Sequence, residues 1–258
     1  MQDLRLKKSL GQHFLRDENV LGKIASAIGD LKRFKEVVEV GPGMGALTKY
    51  LVKDKPDNFY VVELDDRWAE YLGQTFPILK GKVIHEDFLQ TDLSFLQYPT
   101  HIVGNFPYNI SSQIVFKMID YRNVVEEMTG MFQKEVAQRI IAKPGSKDYG
   151  VMSVLTQAYY DGKYLFDVSP DCFDPPPKVM SGVIQLKRRE RKKLDCDEQR
   201  FKLVVKTAFN QRRKTMRNSL KSLVNSKDVM AEEIFKLRPE QLSVKQFEDL
   251  TNLISSGT

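Results

Sequence analysis

Short β-rich runs alternate with helical patterns over residues 36–121, and this alternation limits the fold more than any other feature of the chain. It predicts strands joined by crossover helices, and therefore a parallel, doubly wound sheet with helices on both faces. The predicted strands are 36–40, 59–64, 82–88 and 100–103, and the predicted helices are 46–52, 66–76 and 111–121. Upstream, the pattern of 17–28 predicts a helix with Asp17 as its N-cap.

The alternation changes after Gly150. A long β-like stretch, 154–168, and a second one, 181–186, have no helical pattern between them and predict an antiparallel hairpin at the edge of the sheet. The basic run 187–193 then interrupts the apolar pattern, and 198–224 reads as one helix. We therefore predict an α/β domain over 1–187 and a small all-α domain over 188–258.

Positive charge is concentrated in one segment of the chain. Residues 187–227 hold 15 Lys or Arg and 4 Asp or Glu, a balance of +11, so the rest of the chain carries −5 of the net +6. Such a segment is typical of a surface that binds nucleic-acid phosphates, although a solvated helix face has the same composition.

Composition also excludes several classes of protein. No apolar run approaches the roughly 18 residues of a membrane-spanning helix, and the basic start has no apolar stretch behind it as a signal peptide would. The two cysteines, Cys172 and Cys196, have no partners at metal-ligand spacing. We therefore expect a cytoplasmic protein without a disulfide framework or a metal site.

A glycine turn connects the first predicted strand to a helix, in "EVVEVGPGMGALT". Glycines at 41, 43 and 45 allow a tight turn and a close approach of the backbone to a ligand. Glu63 ends the second strand, where a carboxylate binds the ribose hydroxyls, and Asp87 ends the third, where it accepts from an adenine amine. Together they indicate an adenosine-containing cofactor bound above the sheet.

Two cofactors fit that description, a nicotinamide dinucleotide and S-adenosylmethionine. The dinucleotide fingerprint is G-x-G-x-x-G, whereas this chain has G-x-G-x-G preceded by Glu39. An anionic carboxylate would repel a pyrophosphate and attract a sulfonium. The pattern therefore favours S-adenosylmethionine.

The fourth predicted strand is followed by "GNFPYNIS". The exocyclic amine of adenine is a weak nucleophile because its lone pair is delocalised into the ring. Acceptors aimed at its N–H bonds would restore that lone pair, and the Asn105 amide oxygen and the Pro107 carbonyl are suited to this. Tyr108 offers a ring for stacking an extruded base, a contact worth about 1–3 kcal/mol. The stretch therefore predicts transfer of a methyl group to adenine.

The chain resembles the KsgA-type rRNA adenine dimethyltransferases. The resemblance runs in order from about Ser9 to Leu220 and rests on "SLGQHFL", "EVGPGMGALT", "VVELD", "HEDFL", "GNFPYNIS", "QKEVAQRI", "FDPPPKV" and "FNQRRKTMRNSL". It implies a class I, Rossmann-like methyltransferase domain followed by a small helical RNA-binding domain. It also implies transfer of four methyl groups to N6 of two adjacent adenines in the 3′-terminal hairpin of small-subunit (16S) rRNA during ribosome biogenesis.

The resemblance also implies roles for individual residues. His13 and Leu15 belong to a segment that closes over the cofactor, and Gly41 approaches its methionine part. Glu63 binds the ribose and Asp87 the adenine, while Asn105 lies between cofactor and target. Phe173 corresponds to a second stacking aromatic opposite Tyr108. The predicted RNA contacts are Arg212, Arg213, Lys214 and Arg217.

The sequence also allows other functions. A large-subunit rRNA methyltransferase of the macrolide-resistance type shares the fold and the N-x-P-Y loop. A DNA adenine methyltransferase and a non-catalytic ribosome-assembly or transcription factor are further alternatives. For the main interpretation we expect a monomer whose partners are small-subunit rRNA and the assembling 30S particle, with no membrane association.

Overall fold

A computed structural model of the protein describes residues 13–53, 58–191 and 193–256. Residues 1–12 of the predicted first domain, which include the start of the "SLGQHFL" motif, lie outside the described residues, as does Lys192 of the basic run.

Strands and helices alternate through the first half of the described chain, as the sequence predicts. The strands are β1 Phe14–Leu15, β2 Glu36–Val40, β3 Phe59–Glu63, β4 Val83–His85, β5 Thr100–Asn105, β6 Val125–Gln133, β7 Tyr160–Val168, β8 Phe173–Asp174 and β9 Ser181–Arg188. The helices are α1 Glu18–Ile28, α2 Thr48–Leu51, α3 Asp66–Thr75, α4 Ser111–Asp120, α5 Lys134–Ile141, α6 Val151–Gln157, α7 Glu198–Asn210, α8 Met216–Ser219, α9 Lys227–Ala231 and α10 Val244–Ser256.

The main sheet has seven strands in the order β4-β3-β2-β5-β6-β9-β7. Strands β4, β3, β2, β5 and β6 pair in parallel, and β9 pairs antiparallel with β6. The order reverses direction at β2, whose neighbours are β3 and β5, so the carboxyl ends of these three strands meet at a switch point. This confirms the predicted doubly wound sheet with an antiparallel edge.

The central strand, β2, has a composition that suits a buried position in the sheet. All five residues of β2 are buried, and three of them are valines that suit a strand covered on both faces. Helix α1 begins where predicted, because the Asp17 carboxylate accepts hydrogen bonds from the backbone N–H groups of Asn19 and Val20. Leu21, Ile24 and Ile28 of this helix pack into the apolar core beside the sheet.

The prediction of continuous β structure over 154–168 is wrong in its first part. Residues 151–157 form helix α6 despite their β-branched residues, because tertiary contacts outweigh local propensity. The Ser153 hydroxyl accepts from the Gly150 N–H at 3.0 Å and donates to the Arg139 carbonyl at 2.6 Å, which stabilises the first turn. Strand β7 starts only at Tyr160.

The prediction of a single helix over 198–224 is also wrong. Helix α7 ends at Asn210, a turn follows, and α8 begins at Met216. Met216 is fully buried and its N–H donates to the Leu237 carbonyl at 2.7 Å, so the chain changes direction to bury it. The apolar residues Phe201, Val204, Val205 and Ala208 of α7 are buried.

The chain divides into two compact units. One consists of Met1–Ala137 and Gly162–Arg188, and the other of Gln138–Asp161 and Arg189–Thr258. The second unit therefore contains α6 in addition to the residues after the expected boundary. Within it, the Tyr149 ring lies 6.2 Å from that of Phe209.

Candidate active site

A cavity of about 290 Å³ lies where the carboxyl ends of β2, β3 and β5 meet. Its volume is close to the lower end of the range for small-molecule sites. The residues predicted from the sequence that line it are His13, Leu15, Gly41, Glu63, Asp87, Asn105, Pro107 and Tyr108. Residues more than 90 positions apart in the chain, such as His13 and Tyr108, thus meet around one space.

The glycine loop forms one wall of the cavity. Gly41 and Gly43 have φ of +65° and +53°, a region that other residues rarely adopt. A Cβ atom on Gly43 would lie 2.6 Å from the Phe14 ring, so the loop and β1 approach closely only because this residue is glycine. The backbone can therefore come near a ligand here.

Glu63 is oriented by the backbone. Its side chain accepts from the Gly43 N–H at 3.0 Å with Oε2 and from the Asp65 N–H at 2.9 Å with Oε1. The residue is 5% exposed, and burial raises the pKa of its carboxyl group. The Leu64 N–H also bonds this carboxylate, and the remaining acceptor capacity suits a ligand hydroxyl.

Glu39 lies at the base of the same cavity and is 1% exposed. The Thr48 hydroxyl donates to its Oε2 at 2.6 Å. Burial raises the pKa of Glu39 to about 8, and the nearby Glu63 carboxylate acts in the same direction. Without a bound cation the protonated form of Glu39 therefore predominates at neutral pH, in contrast to the anion expected from the sequence.

Asn105 ends β5 at the mouth of the cavity. Its Nδ2 donates to the His13 backbone carbonyl at 3.1 Å, which directs the amide oxygen the opposite way. The Pro107 carbonyl accepts from the Ile110 N–H at 3.2 Å and keeps its second lone pair for another donor. The two predicted acceptors therefore both have capacity for an amine.

Tyr108 is held on two sides. Its hydroxyl lies 2.5 Å from the Ser181 Oγ, and its ring stacks on the His13 ring with centroids 5.6 Å apart. The His13 Nδ1 is 2.8 Å from the Pro175 carbonyl, which only accepts, so this nitrogen carries a proton. Burial raises the pKa of Tyr108, and the phenol is neutral.

The proline-rich segment 173–179, "FDPPPKV", begins with β8. Strand β8 pairs antiparallel with β1, with Leu15 opposite Phe173. Phe173 is 5% exposed, packs in the apolar core and does not line the cavity, so its stacking on a base remains a prediction. Nothing in the sequence marks Ser181 as a site residue beyond its place at the start of a predicted strand.

The four predicted RNA contacts differ in their surroundings. Arg212 donates to the Ser146 carbonyl at 3.2 Å, and Arg217 donates twice to the Met230 carbonyl, at 3.1 and 2.8 Å. Arg213 and Lys214 lie exposed on the turn between α7 and α8. Their ammonium and guanidinium groups are therefore the ones most available to phosphates.

Over 13–53, 58–191 and 193–256, no cluster of three His, Cys, Asp or Glu side chains is placed to hold a metal ion. Within the same ranges, no helix has the length and apolar character needed to cross a membrane.

Several known proteins are similar to this chain over nearly its full length. Proteins named ribosomal RNA small subunit methyltransferase A are 54% identical in Flavobacterium johnsoniae, over 99% of this chain and 98% of that protein, and 52% identical in Cytophaga hutchinsonii, over 99% of both.

Solved structures show the same fold. A dimethyladenosine transferase from Plasmodium falciparum is 22% identical and superimposes with a TM-score of 0.80 over 95% of this chain and 98% of its own. The 23S rRNA methyltransferase ErmE is 26% identical, with a TM-score of 0.65 over 94% of this chain and 99% of its own.

The family model described as ribosomal RNA adenine dimethylase matches residues 3–256, which includes both compact units. Because this match and the similarity to the bacterial relatives extend over nearly the whole chain, the protein belongs to the ribosomal RNA adenine dimethylase family.

Proposed function

We propose that this protein transfers methyl groups from S-adenosylmethionine to N6 of two adjacent adenines in the 3′-terminal hairpin of small-subunit rRNA, giving N6,N6-dimethyladenosine at each. The observation that carries the proposal is the position of Asn105, whose amide oxygen has no hydrogen-bond partner among the described residues and lies beside the cavity that Glu63 lines. The names of the bacterial relatives support the choice of the small subunit.

The residues of the cavity fit S-adenosylmethionine. Glu63 would hold the ribose hydroxyls, Asp87 the adenine amine, and the loop at Gly41 the methionine part. Glu39 would ionise next to a cationic ligand, because an opposite charge offsets the desolvation that raises its pKa. When bound, this cofactor supplies a methyl group on a positively charged sulfur.

The chain's own groups would activate the adenine. In the first transfer the Asn105 Oδ1 and the Pro107 carbonyl would accept from the two N–H bonds of the amine, which would shift the nitrogen lone pair towards the methyl group. In the second transfer one of these acceptors would bind the single N–H that remains. The bound cofactor would supply the methyl carbon and keep the electrons of its carbon–sulfur bond, and the methylated amine would release its proton to water. A strong general base is unnecessary, because the amine becomes acidic only as the methyl group arrives.

Tyr108 would hold the target base in place. The His13 ring covers one face of the tyrosine, so the base would stack on the other. The contact between the Tyr108 and Ser181 hydroxyls fixes the orientation of the ring. Phe173 would contribute a second aromatic surface only if it turned out of the core.

We propose further that the exposed cations Arg213 and Lys214, with Arg212 and Arg217, bind phosphates of the rRNA. Such contacts add affinity without choosing a sequence. The protein would act as a monomer in the cytoplasm, on the assembling 30S particle.

Purified small and large subunits from cells that lack the gene provide the test. Each is incubated with the protein and S-adenosylmethionine labelled on its methyl group, and the modified nucleotides are mapped. We expect four methyl groups on two adjacent adenines of small-subunit rRNA. Incorporation into the large subunit would favour the macrolide-resistance type of activity, and incorporation into neither would favour a non-catalytic factor.

A further inference from the structure

Lys117 connects the helix after the Asn105 loop to the segment that carries Asp87. It lies on α4, which begins at Ser111, directly after the loop 106–110 that follows Asn105. Its Nζ donates to the backbone carbonyl of Leu89 at 3.0 Å and to that of Thr91 at 2.5 Å. A single ammonium group thus bonds α4 to a turn that is distant in sequence.

Aromatic contacts strengthen this connection. The Lys117 Nζ lies 5.4 Å from the centre of the Phe88 ring and 5.5 Å from that of Tyr121, both within the range of cation–π attraction. The Tyr121 hydroxyl in turn donates to Asp92 at 3.0 Å. The segment around Asp87 is therefore attached to the end of α4 as well as to its middle.

The charges around Lys117 explain why the position holds a cation. The acidic side chains that act on it are Glu86, Asp87 and Asp92 of the segment and Asp120 of α4. Burial lowers the pKa of the Lys117 amine, whereas these four carboxylates raise it and favour the charged form. Without the ammonium group, the carboxylates would repel one another.

The turn beginning at Asp87 is compact in itself. The Asp87 carbonyl accepts from the N–H groups of Gln90 and Thr91 at 2.8 and 3.0 Å, and its carboxylate accepts from the Leu89 N–H at 2.9 Å. These bonds define the shape of the turn, but they do not attach it to its surroundings. Its position relative to Asn105 depends on contacts such as those of Lys117.

We propose that Lys117 is a positioning residue for the adenine half of S-adenosylmethionine. It holds the Asp87 turn against α4, so that the adenine-binding carboxylate is in place before the cofactor binds. Lys117 does not itself line the cavity. The inference rests on the proposed function, because it takes Asp87 as the adenine-binding residue.

Calorimetric binding to the full-length protein tests the inference with two ligands. S-adenosylmethionine contacts the whole site, and adenosine contacts only the part near Glu63 and Asp87. We expect Lys117→Met to raise the dissociation constants of both ligands about tenfold, because charge-assisted hydrogen bonds are lost. At saturating cofactor its turnover number should stay close to that of the wild type, so the effect appears in KM.

Two variants serve as controls. Lys23→Met makes the same change at an exposed position of α1 and should bind both ligands as the wild type does. Lys117→Arg keeps the charge and the donors and should recover much of the affinity. Urea unfolding of each variant verifies that the measured protein is folded.

The outcomes separate the inference from the function on which it rests. Wild-type affinity for both ligands in Lys117→Met overturns the inference while the proposed function stands. The inference is also overturned if Lys117→Arg binds the two ligands as weakly as Lys117→Met, because the positive charge would then be irrelevant. Failure of the wild-type protein to bind S-adenosylmethionine overturns the proposed function together with the inference.

Discussion

Asn105 is positioned by one hydrogen bond from its amide nitrogen to the His13 carbonyl, and this bond determines which of its atoms faces a ligand. The residue therefore depends on a segment more than 90 positions away in the chain. An amide is suited to this place because it remains neutral and presents a donor and an acceptor in opposite directions.

Replacement of Asn105 by alanine should separate binding from chemistry. We expect Asn105→Ala to bind S-adenosylmethionine within a few-fold of the wild type and to lose at least about 100-fold in turnover, since transition-state hydrogen bonds are worth that much. Calorimetry and methyl incorporation into small subunits measure the two quantities. Turnover near that of the wild type would disprove the polarising role.

Glu39 should make stability depend on pH. The pKa of its carboxyl is raised to about 8 in the folded protein, against 4.5 as its ordinary value, so the folded state holds a proton that the unfolded state releases. The free energy of unfolding should therefore be greatest below pH 4.5 as far as this group is concerned, and should fall as the pH rises to about 8.

The variant Glu39→Gln tests that dependence, because glutamine still accepts from the Thr48 hydroxyl and does not titrate. Urea unfolding without cofactor at pH 5, 6, 7 and 8 should show a shallower decline in the variant than in the wild type. Equal slopes would mean that Glu39 is ionised in the folded protein. Glu63, whose pKa is also raised, accounts for a part of the decline that both proteins share.

Among the helices and strands, α10 is connected to residues 191–195 by a buried ion pair and by an exposed one between Lys245 and Asp195. Arg191 donates to both oxygens of Glu248 at 2.8 Å, and the Glu248 side chain is fully buried. The Asp195 N–H donates to the same carboxylate at 3.0 Å. Three donors on one carboxylate satisfy it and lower the pKa of Glu248 despite its burial.

The variant Glu248→Ala should therefore lower the free energy of unfolding by about 3–5 kcal/mol, because it leaves a partly buried guanidinium without its partner. Urea unfolding measures the change. Glu233→Ala removes an exposed ion pair with Lys236 and should cost no more than about 1 kcal/mol. Similar losses in the two variants would show that the buried pair contributes no more than a surface one.

Over the protein as a whole, charge is distributed unevenly, with an excess of +11 in residues 187–227 and a balance of −5 elsewhere. Such a distribution orients the protein towards a polyanion and raises the association rate. It also predicts that affinity for RNA falls steeply with salt, because each phosphate contact releases counterions.

The double variant Arg213→Gln and Lys214→Gln should weaken binding to rRNA and reduce the slope of log affinity against log salt by about 0.7–0.9 for each lost contact. Lys23→Gln with Lys163→Gln removes the same charge from exposed positions elsewhere and serves as the control. An unchanged slope in the first variant would mean that the turn between α7 and α8 is only a solvated surface.

The pattern of residues was enough to predict the layout of the sheet and much of the cavity. Strand periodicity places Glu63, Asp87 and Asn105 at or just after the ends of parallel strands, and parallel strands necessarily bring those ends to one edge. The errors, at α6 and at the break after α7, fall where contacts with residues far along the chain outweigh local preference.

Local sequence therefore determined which groups exist and on which edge of the sheet they lie, because period and spacing are properties of neighbouring residues. Only the tertiary structure decided how those groups behave. Partners from other segments determine the tautomer of His13 and the orientation of the Asn105 amide. They also determine the protonation of Glu39 and the hydrogen bonds of Lys117. Hydrogen bonding and desolvation act through space, and the distances that govern them exist only once the chain has folded.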